Sequence, residues 1–181
     1  MDIHNLGVDP GTCGTPVIPG IMVDLFVVCA CDIETFPEVG EYDIATPSAS
    51  VTLQGDIVLT EGSVWSKFKV MTDKGSILDQ LQGDIGSKHF KNVLNFNIAG
   101  TEADTLAWHQ QTSNGCLVCV VKEKNGQYRV IGNKDIPAHY ATNDISNGPE
   151  NSMSTSVLEA VTGRVAPIYE GVLPTEIVEG P

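Results

Sequence analysis

The chain of 181 residues contains no lysine or arginine before Lys67, and only Arg164 after residue 134. Ten acids occupy residues 1–66 and seven occupy 135–181, while the middle holds nine of the ten basic groups against six acids. Gripping a phosphate backbone by counterion release needs clustered Lys and Arg on one face, so this distribution argues against conventional nucleic-acid binding. A net charge of -13 also keeps a protein dispersed. Aromatic residues make up 6% and do not cluster, which argues against a carbohydrate-binding sandwich with an aromatic sheet face. No long hydrophobic run exists. The most apolar stretch, "IMVDLFVVCAC" from Ile21 to Cys31, is about half of what spans a bilayer. It carries Asp24 and follows no basic segment, so neither a membrane span nor a signal peptide is expected. Five cysteines without repeating spacing point away from a disulfide framework and toward a reducing compartment.

Turn residues divide what is present. Residues 1–20 hold four glycines and three prolines and read as an extended N-terminal arm; the core domain is expected over 21–171, with 172–181 as a C-terminal arm. "IMVDLFVVCACDI" reads as one buried strand, and residues 34–50 as a long loop. "SVTLQGDIVLTEG" and "SVWSKFKVMTDKG" are strand-length runs, the second with Phe68 and Val70 on a core face and Lys67 and Lys69 on a wet one. "SILDQLQGDIG" is a shorter candidate. In "HFKNVLNFNIAG", Phe90, Leu94, Phe96 and Ile98 alternate with His89, Lys91, Val93, Asn95 and Asn97, the pattern of a half-buried strand.

A helix of about three turns is expected after Gly100, with Thr101 and Asp104 spaced like a capping box, Ala103, Leu106, Ala107 and Gln110 at helical spacing, and Asn114-Gly115 as the stop. Asn125-Gly126 between β-rich arms predicts a hairpin with a type I′ turn. Strands are expected again in "PAHYATND", "SMSTSVLEAVTG" and "VAPIYEG". The sum is a mainly β fold, an antiparallel β-sandwich or barrel with one short flanking helix and extended terminal arms.

The chemical constellations are thin. Cys116 and Cys119 have Cys-x-x-Cys spacing, but residues three apart on a strand face opposite ways, and no second Cys or His pair stands at zinc spacing. Both are read as buried, apolar-like thiols. Cys29 and Cys31 share a strand face in this reading but lack companion ligands. His4, His89, His109 and His139 are scattered over separate elements, and no nucleophile elbow, phosphate loop, HExxH or dinucleotide fingerprint is present. A Cys/His hydrolase assembled in space would need Cys119 or one of these histidines. Asp73, Asp79 and Asp84 lack the calcium-loop alternation and read as a solvated face. Trp108 reads as core, with partner anchoring as its other use. No catalytic, cofactor or metal residue is assigned, and the chain is not expected to be an enzyme.

Taken in order, "FKNVLNFNIAGTEADTLAWHQQTSNGCLVCVVKEKNGQYRVIGNKDIPAHY" and "SMSTSVLEAVTGRVAPIYEG" resemble the tail tube proteins of long-tailed bacteriophages, in particular those of phages and prophages of Bacteroides-type bacteria. The similarity runs from about Ile21 to Gly171. The resemblance implies a structural virion protein that self-assembles into hexameric rings stacked head to tail, meeting other tail proteins at the tube ends. DNA would pass through a negatively charged lumen without specific binding. The location would be the virion tail, and the host cytoplasm during assembly, with no cofactor and no membrane anchor. The other reading of the same features is a capsid decoration or head-completion protein. Acidic flanks and a basic middle supply unlike patches for heterologous contact. The acidic arms or the loop from Glu34 to Ser50, with Glu34, Glu38, Glu41 and Asp43, are therefore expected to dock on a neighbour near Lys67, Lys69, Lys88 and Lys91, which together form the candidate subunit interface.

Overall fold

The computed structural model describes residues 20–148 and 152–173 and the backbone of Ile177–Glu179. Apart from Gly20, the expected N-terminal arm lies outside the described residues. Strands and one short helix build an antiparallel β-sandwich. A seven-stranded sheet is ordered β13 (Ile177–Glu179), β5 (Trp65–Lys69), β1 (Ile21–Cys29), β8 (Leu117–Glu123), β9 (Tyr128–Ile131), β12 (Ile168–Tyr169), β3 (Thr52–Leu53). A four-stranded sheet is ordered β10 (His139–Asn147), β11 (Ser152–Thr162), β7 (His89–Ala99), β6 (Ser76–Gln82). Two short strands, β2 (Ile33–Thr35) and β4 (Val58–Leu59), pair separately.

The larger sheet is covered on both faces, which is why β1 and β8 read as continuous apolar runs. Leu25, Val27, Cys119 and Val121 join Phe96, Ile98 and Leu158 in a core shared with the smaller sheet. Their alternate neighbours Phe26, Val28, Val118 and Val120 join Ile33, Leu53, Ile57, Trp65 and Tyr169 in a second core. The second core is latched at Tyr169, whose hydroxyl accepts from Ile57 N–H at 3.3 Å and donates to Val172 O at 2.9 Å.

Several local expectations are revised. The strand expected through Ile33 ends at Cys29, where a 3-10 turn over Ala30–Asp32 turns the chain into β2. The run "SVTLQGDIVLTEG" yields only β3 and β4, interrupted at Gly55, whose φ of 123° breaks the extended path. The face of β5 expected to be wet begins with Trp65, which is buried in the second core.

The hairpin at Asn125-Gly126 forms, but only Gly126 takes a positive φ, 95°, so the turn is not type I′. Gly126 N–H bonds Glu123 O at 2.9 Å and Glu123 N–H bonds Gln127 O at 2.8 Å. This is a type I turn closed by a left-handed glycine, the three-residue alternative.

Gly132, with φ 80°, is the more demanding glycine. A Cβ there would stand 2.6 Å from Ala138 N and 2.9 Å from Leu117 O, and the same backbone groups, Ala138 N and Leu117 O, bond each other at 2.8 Å. Gly132→Ala is expected to cost about 2–3 kcal/mol through left-handed strain and this displaced bridge. A lower urea midpoint at unchanged slope would register it.

Candidate functional site

The two sheets treat their edges differently. In the larger one, the outermost strands are the two-residue β3 and the three-residue β13, and β13 adds in parallel to β5 with Val178 opposite Ser66. Very short edge strands are a common means of blunting a sheet against further pairing. The smaller sheet ends instead in β6, seven residues, and β10, nine residues, and neither has a second strand partner among the described residues. Their sequences, "SILDQLQ" and "HYATNDISN", contain no lysine, arginine or proline. Both are mostly exposed, and the one irregularity is a register shift between Tyr140 and Thr142.

Two polar constructions hold this sheet. At the β6 side, the Asp79 carboxylate accepts from Asn92 Nδ2 at 2.7 Å and from Ala166 N–H at 3.0 Å, and it pairs with Arg129. Arg129 also donates to Ala166 O at 2.7 Å and lies 3.5 Å from Glu123. Asp79 is therefore no part of a solvated face: it points inward beside Ile77, on the face of β6 that meets Asn92 and Leu94. Asp73 and Asp84 lie apart from it in turns.

At the β10 side stands α1 (Ala103–Thr112). Its buried residues are Thr105 and His109, while Leu106 is exposed, so the inward face is not the one read from Ala103, Leu106, Ala107 and Gln110. Its N-cap residue is Glu102, which makes no side-chain cap bond, and Thr101 Oγ1 instead meets Ser152 Oγ at 3.0 Å. Trp108 packs on Phe68, ring centroids 4.2 Å apart, and edge-on to Tyr140.

His109 Nε2 lies 2.9 Å from Ser154 Oγ, and Nδ1 lies 3.1 Å from Asn143 Nδ2, while Asn143 Oδ1 accepts from Ser156 at 3.0 Å. That chain of donors fixes the neutral ring, with Nδ1 accepting and Nε2–H donating. Burial pushes the His109 pKa below its ordinary value, because the charged form loses water. The unfolded chain then binds more protons than the folded one just below pH 6.5, so stability falls as the pH drops from there toward the lower folded value. His109→Gln is expected to flatten this part of a melting-temperature against pH curve, at some loss of stability at neutral pH.

The candidate interface residues separate into groups. Glu34, Glu38, Glu41 and Asp43 are all exposed, with Asp43 accepting from Ala45 N–H at 3.1 Å and the Glu34 carbonyl taken by Lys134 at 2.9 Å. Lys67 is paired with Asp24 at 3.2 Å and lies over the Phe26 ring, and Lys91 is paired with Glu159. Lys69 and Lys88 are exposed and make no ion pair among the described residues. Met71, two residues beyond Lys69, bonds at Asn97, whereas Lys91 lies six residues back along β7, roughly 20 Å away at strand rise. The four lysines therefore form no single patch, and the expected acceptor site divides in two.

The histidines are likewise kept apart. His89 Nδ1 faces Ser87 O, His139 Nδ1 faces Gly115 O, and His4 lies outside the described residues. Cys119 is fully buried, its thiol pushed up to about 12 by burial, but Cys116 is exposed rather than inward, because β8 begins only at Leu117. Cys29 and Cys31 do not share a strand face; the 3-10 turn brings their sulfurs together as a disulfide, with Asp32 close enough to complete a three-ligand group. An open groove of about 550 Å³ runs between Phe36–Val39 and Gly132–Ile136, lined by both charge signs: Glu38 and Asp135 against Lys134 and Arg164. Among the described residues no helix is long and apolar enough to cross a membrane. No protein-family model, curated protein or solved structure matches the chain.

Proposed function

We propose that the chain is a structural virion protein whose copies join through the four-stranded sheet into rings, stacked as a phage tail tube. The observation that carries this reading is the contrast between blunted edges in one sheet and, in the other, two long edges, β6 and β10, that are bare among the described residues. A bare strand is a template for another strand. Because β6 and β10 are unlike edges of the same sheet, pairing one with the other is heterologous, and such contacts close into rings when the rotation permits. The stretches that carry the tail-tube resemblance hold β7, α1, β8, β9, β11 and β12 and the first two residues of β10, so the likeness covers the strands between the two free edges and not the edges themselves.

In such a ring the sheet's solvent face turns to the bore, since its other face is buried in the core. That face carries the polar Gln80, Asn95, Thr142, Ser146 and Thr155 and the aliphatic Leu78, Val93, Met153, Val157 and Val161, with Lys91 paired to Glu159 and Asp144 left over. The four strands thus line the bore with mixed polar and aliphatic side chains and a single excess negative charge per copy, a wall without the clustered cations that would hold phosphate. The acids of the long loop lie over the other sheet and serve contacts between copies, their acceptors being Lys69 and Lys88. Lys69→Glu with Lys88→Glu is expected to weaken assembly while leaving the melting temperature within about 1 °C, as exposed charges contribute little to folding.

Negative-stain microscopy and sedimentation of the purified chain at rising concentration test the function. Long hollow tubes support it. A chain that stays single and instead coats capsid shells is a decoration protein.

A further inference from the structure

We infer that the corner at Cys29 and Cys31 is a thiol–disulfide exchange site for low-molecular-weight thiols. The bond closes a ring over Ala30 alone, at a sequence separation of 2. A cross-link removes chain entropy in proportion to the logarithm of the loop it closes, so a ring this small is a weak staple. The two apolar cores already hold β1, Leu25 and Val27 in one and Phe26 and Val28 in the other, which leaves the bond little structural work. Its position is open: Cys31 is exposed and Cys29 half-buried. Exposed disulfides are the exchangeable ones, since attack needs an in-line approach to one sulfur.

The surroundings give the exchange a direction. An external thiolate reaches the exposed Cys31 Sγ; as its sulfur bonds there, the Sγ–Sγ bond breaks and the electron pair leaves on Cys29 Sγ. The Cys31 N–H, 3.4 Å from Cys29 Sγ, is placed to stabilise that leaving thiolate. Asp32 Oδ1, 3.8 Å from Cys31 Sγ, disfavours negative charge on the other sulfur and so opposes the reverse assignment. A second thiolate then attacks the external sulfur of the mixed disulfide and releases Cys31. Overall, two thiols become one small disulfide, and the protein takes up two electrons and two protons. Oxidised thiol reverses the sequence. The buried Cys119 takes no part, and the exposed Cys116, whose carbonyl accepts from Ala30 N–H at 2.8 Å, marks the same corner as an unbonded thiol.

The test is differential alkylation with peptide mass spectrometry on the native full-length chain, equilibrated with glutathione at different ratios of reduced to oxidised form. In oxidised glutathione, Cys29 and Cys31 should be recovered bonded to each other, while the exposed Cys116 either alkylates or carries one glutathione. In millimolar reduced glutathione both should alkylate with no change in circular dichroism, and in oxidised glutathione Cys29→Ser, which removes the resolving thiol, should leave Cys31 carrying one glutathione. Should that variant not fold, the wild-type measurement decides alone. A pair that never forms in oxidised glutathione overturns the proposal, and so does one that opens only on denaturation. Neither outcome bears on tube assembly.

Discussion

Asp79→Ala should lower folding stability by about 3 kcal/mol, toward the effect of stripping one partner from a buried ion pair. The carboxylate and Arg129 are each 17% exposed, and three separate donors, Asn92, Ala166 N–H and Arg129, converge on it. Removing it leaves the guanidinium with Glu123 at 3.5 Å and Ala166 O as its partners, and uncouples β6 from the β9 end of the larger sheet. Asp79→Asn keeps an acceptor without the charge and should cost about half as much. Urea denaturation measures both; a shift in melting temperature of roughly 6–12 °C for the alanine variant is the thermal equivalent. A loss under about 1 kcal/mol, the ordinary value of an exposed pair, would show that this junction does not hold the sandwich together.

The second large effect falls on assembly rather than folding. Along a strand in an antiparallel ladder, successive N–H groups point alternately to the two sides. Of the adjacent variants Gln80→Pro and Leu81→Pro, one therefore removes a ladder bond to β7 and destabilises the monomer, while the other removes only a bond aimed at the free edge. The variant that keeps the wild-type melting temperature should fail to polymerise at concentrations where the unaltered chain is fully assembled. A loss of about 1.4 kcal/mol per contact is already tenfold in the concentration required. Normal polymers from both variants would rule β6 out of the contact.

These two predictions depend on features unequally legible in the chain. The alternation of Phe90, Leu94, Phe96 and Ile98 in β7 is readable because a face packed on a core enforces a period of two: Leu94, Phe96 and Ile98 are buried in the core between the sheets, and Phe90, at the strand's start, is half-buried. The position of the β8–β9 hairpin is readable for the same reason, since Asn-Gly interrupts two β-rich arms. Its turn type is not, because Asn125 is accommodated without positive φ once Gly126 alone takes the left-handed position.

The face of α1 is hidden because it is polar: Thr105 and His109 are buried there, and His109 is satisfied by Ser154 and Asn143, which stand 45 and 34 residues away. Asp79 looked solvent-facing for a similar reason, its cation lying 50 residues distant on β9. A polar residue in an alternating strand carries no mark of its partner. The disulfide corner escaped because the apolar run continues past the point where the strand stops, and a 3-10 turn inside such a run has no local signal. The bare edges were legible only as a lack of lysine and proline in β6 and β10, which acquires meaning once the strand order is known.

The most direct measurement is a cryo-electron-microscopy reconstruction of whatever the purified chain forms at high concentration. The account predicts hollow tubes in which β6 of each copy is hydrogen-bonded to β10 of the next, one sheet running unbroken around the bore with Asp144 and the Lys91–Glu159 pair facing inward. A chain that remains single, or tubes in which β6 and β10 stay unpaired on the outer surface, would contradict it.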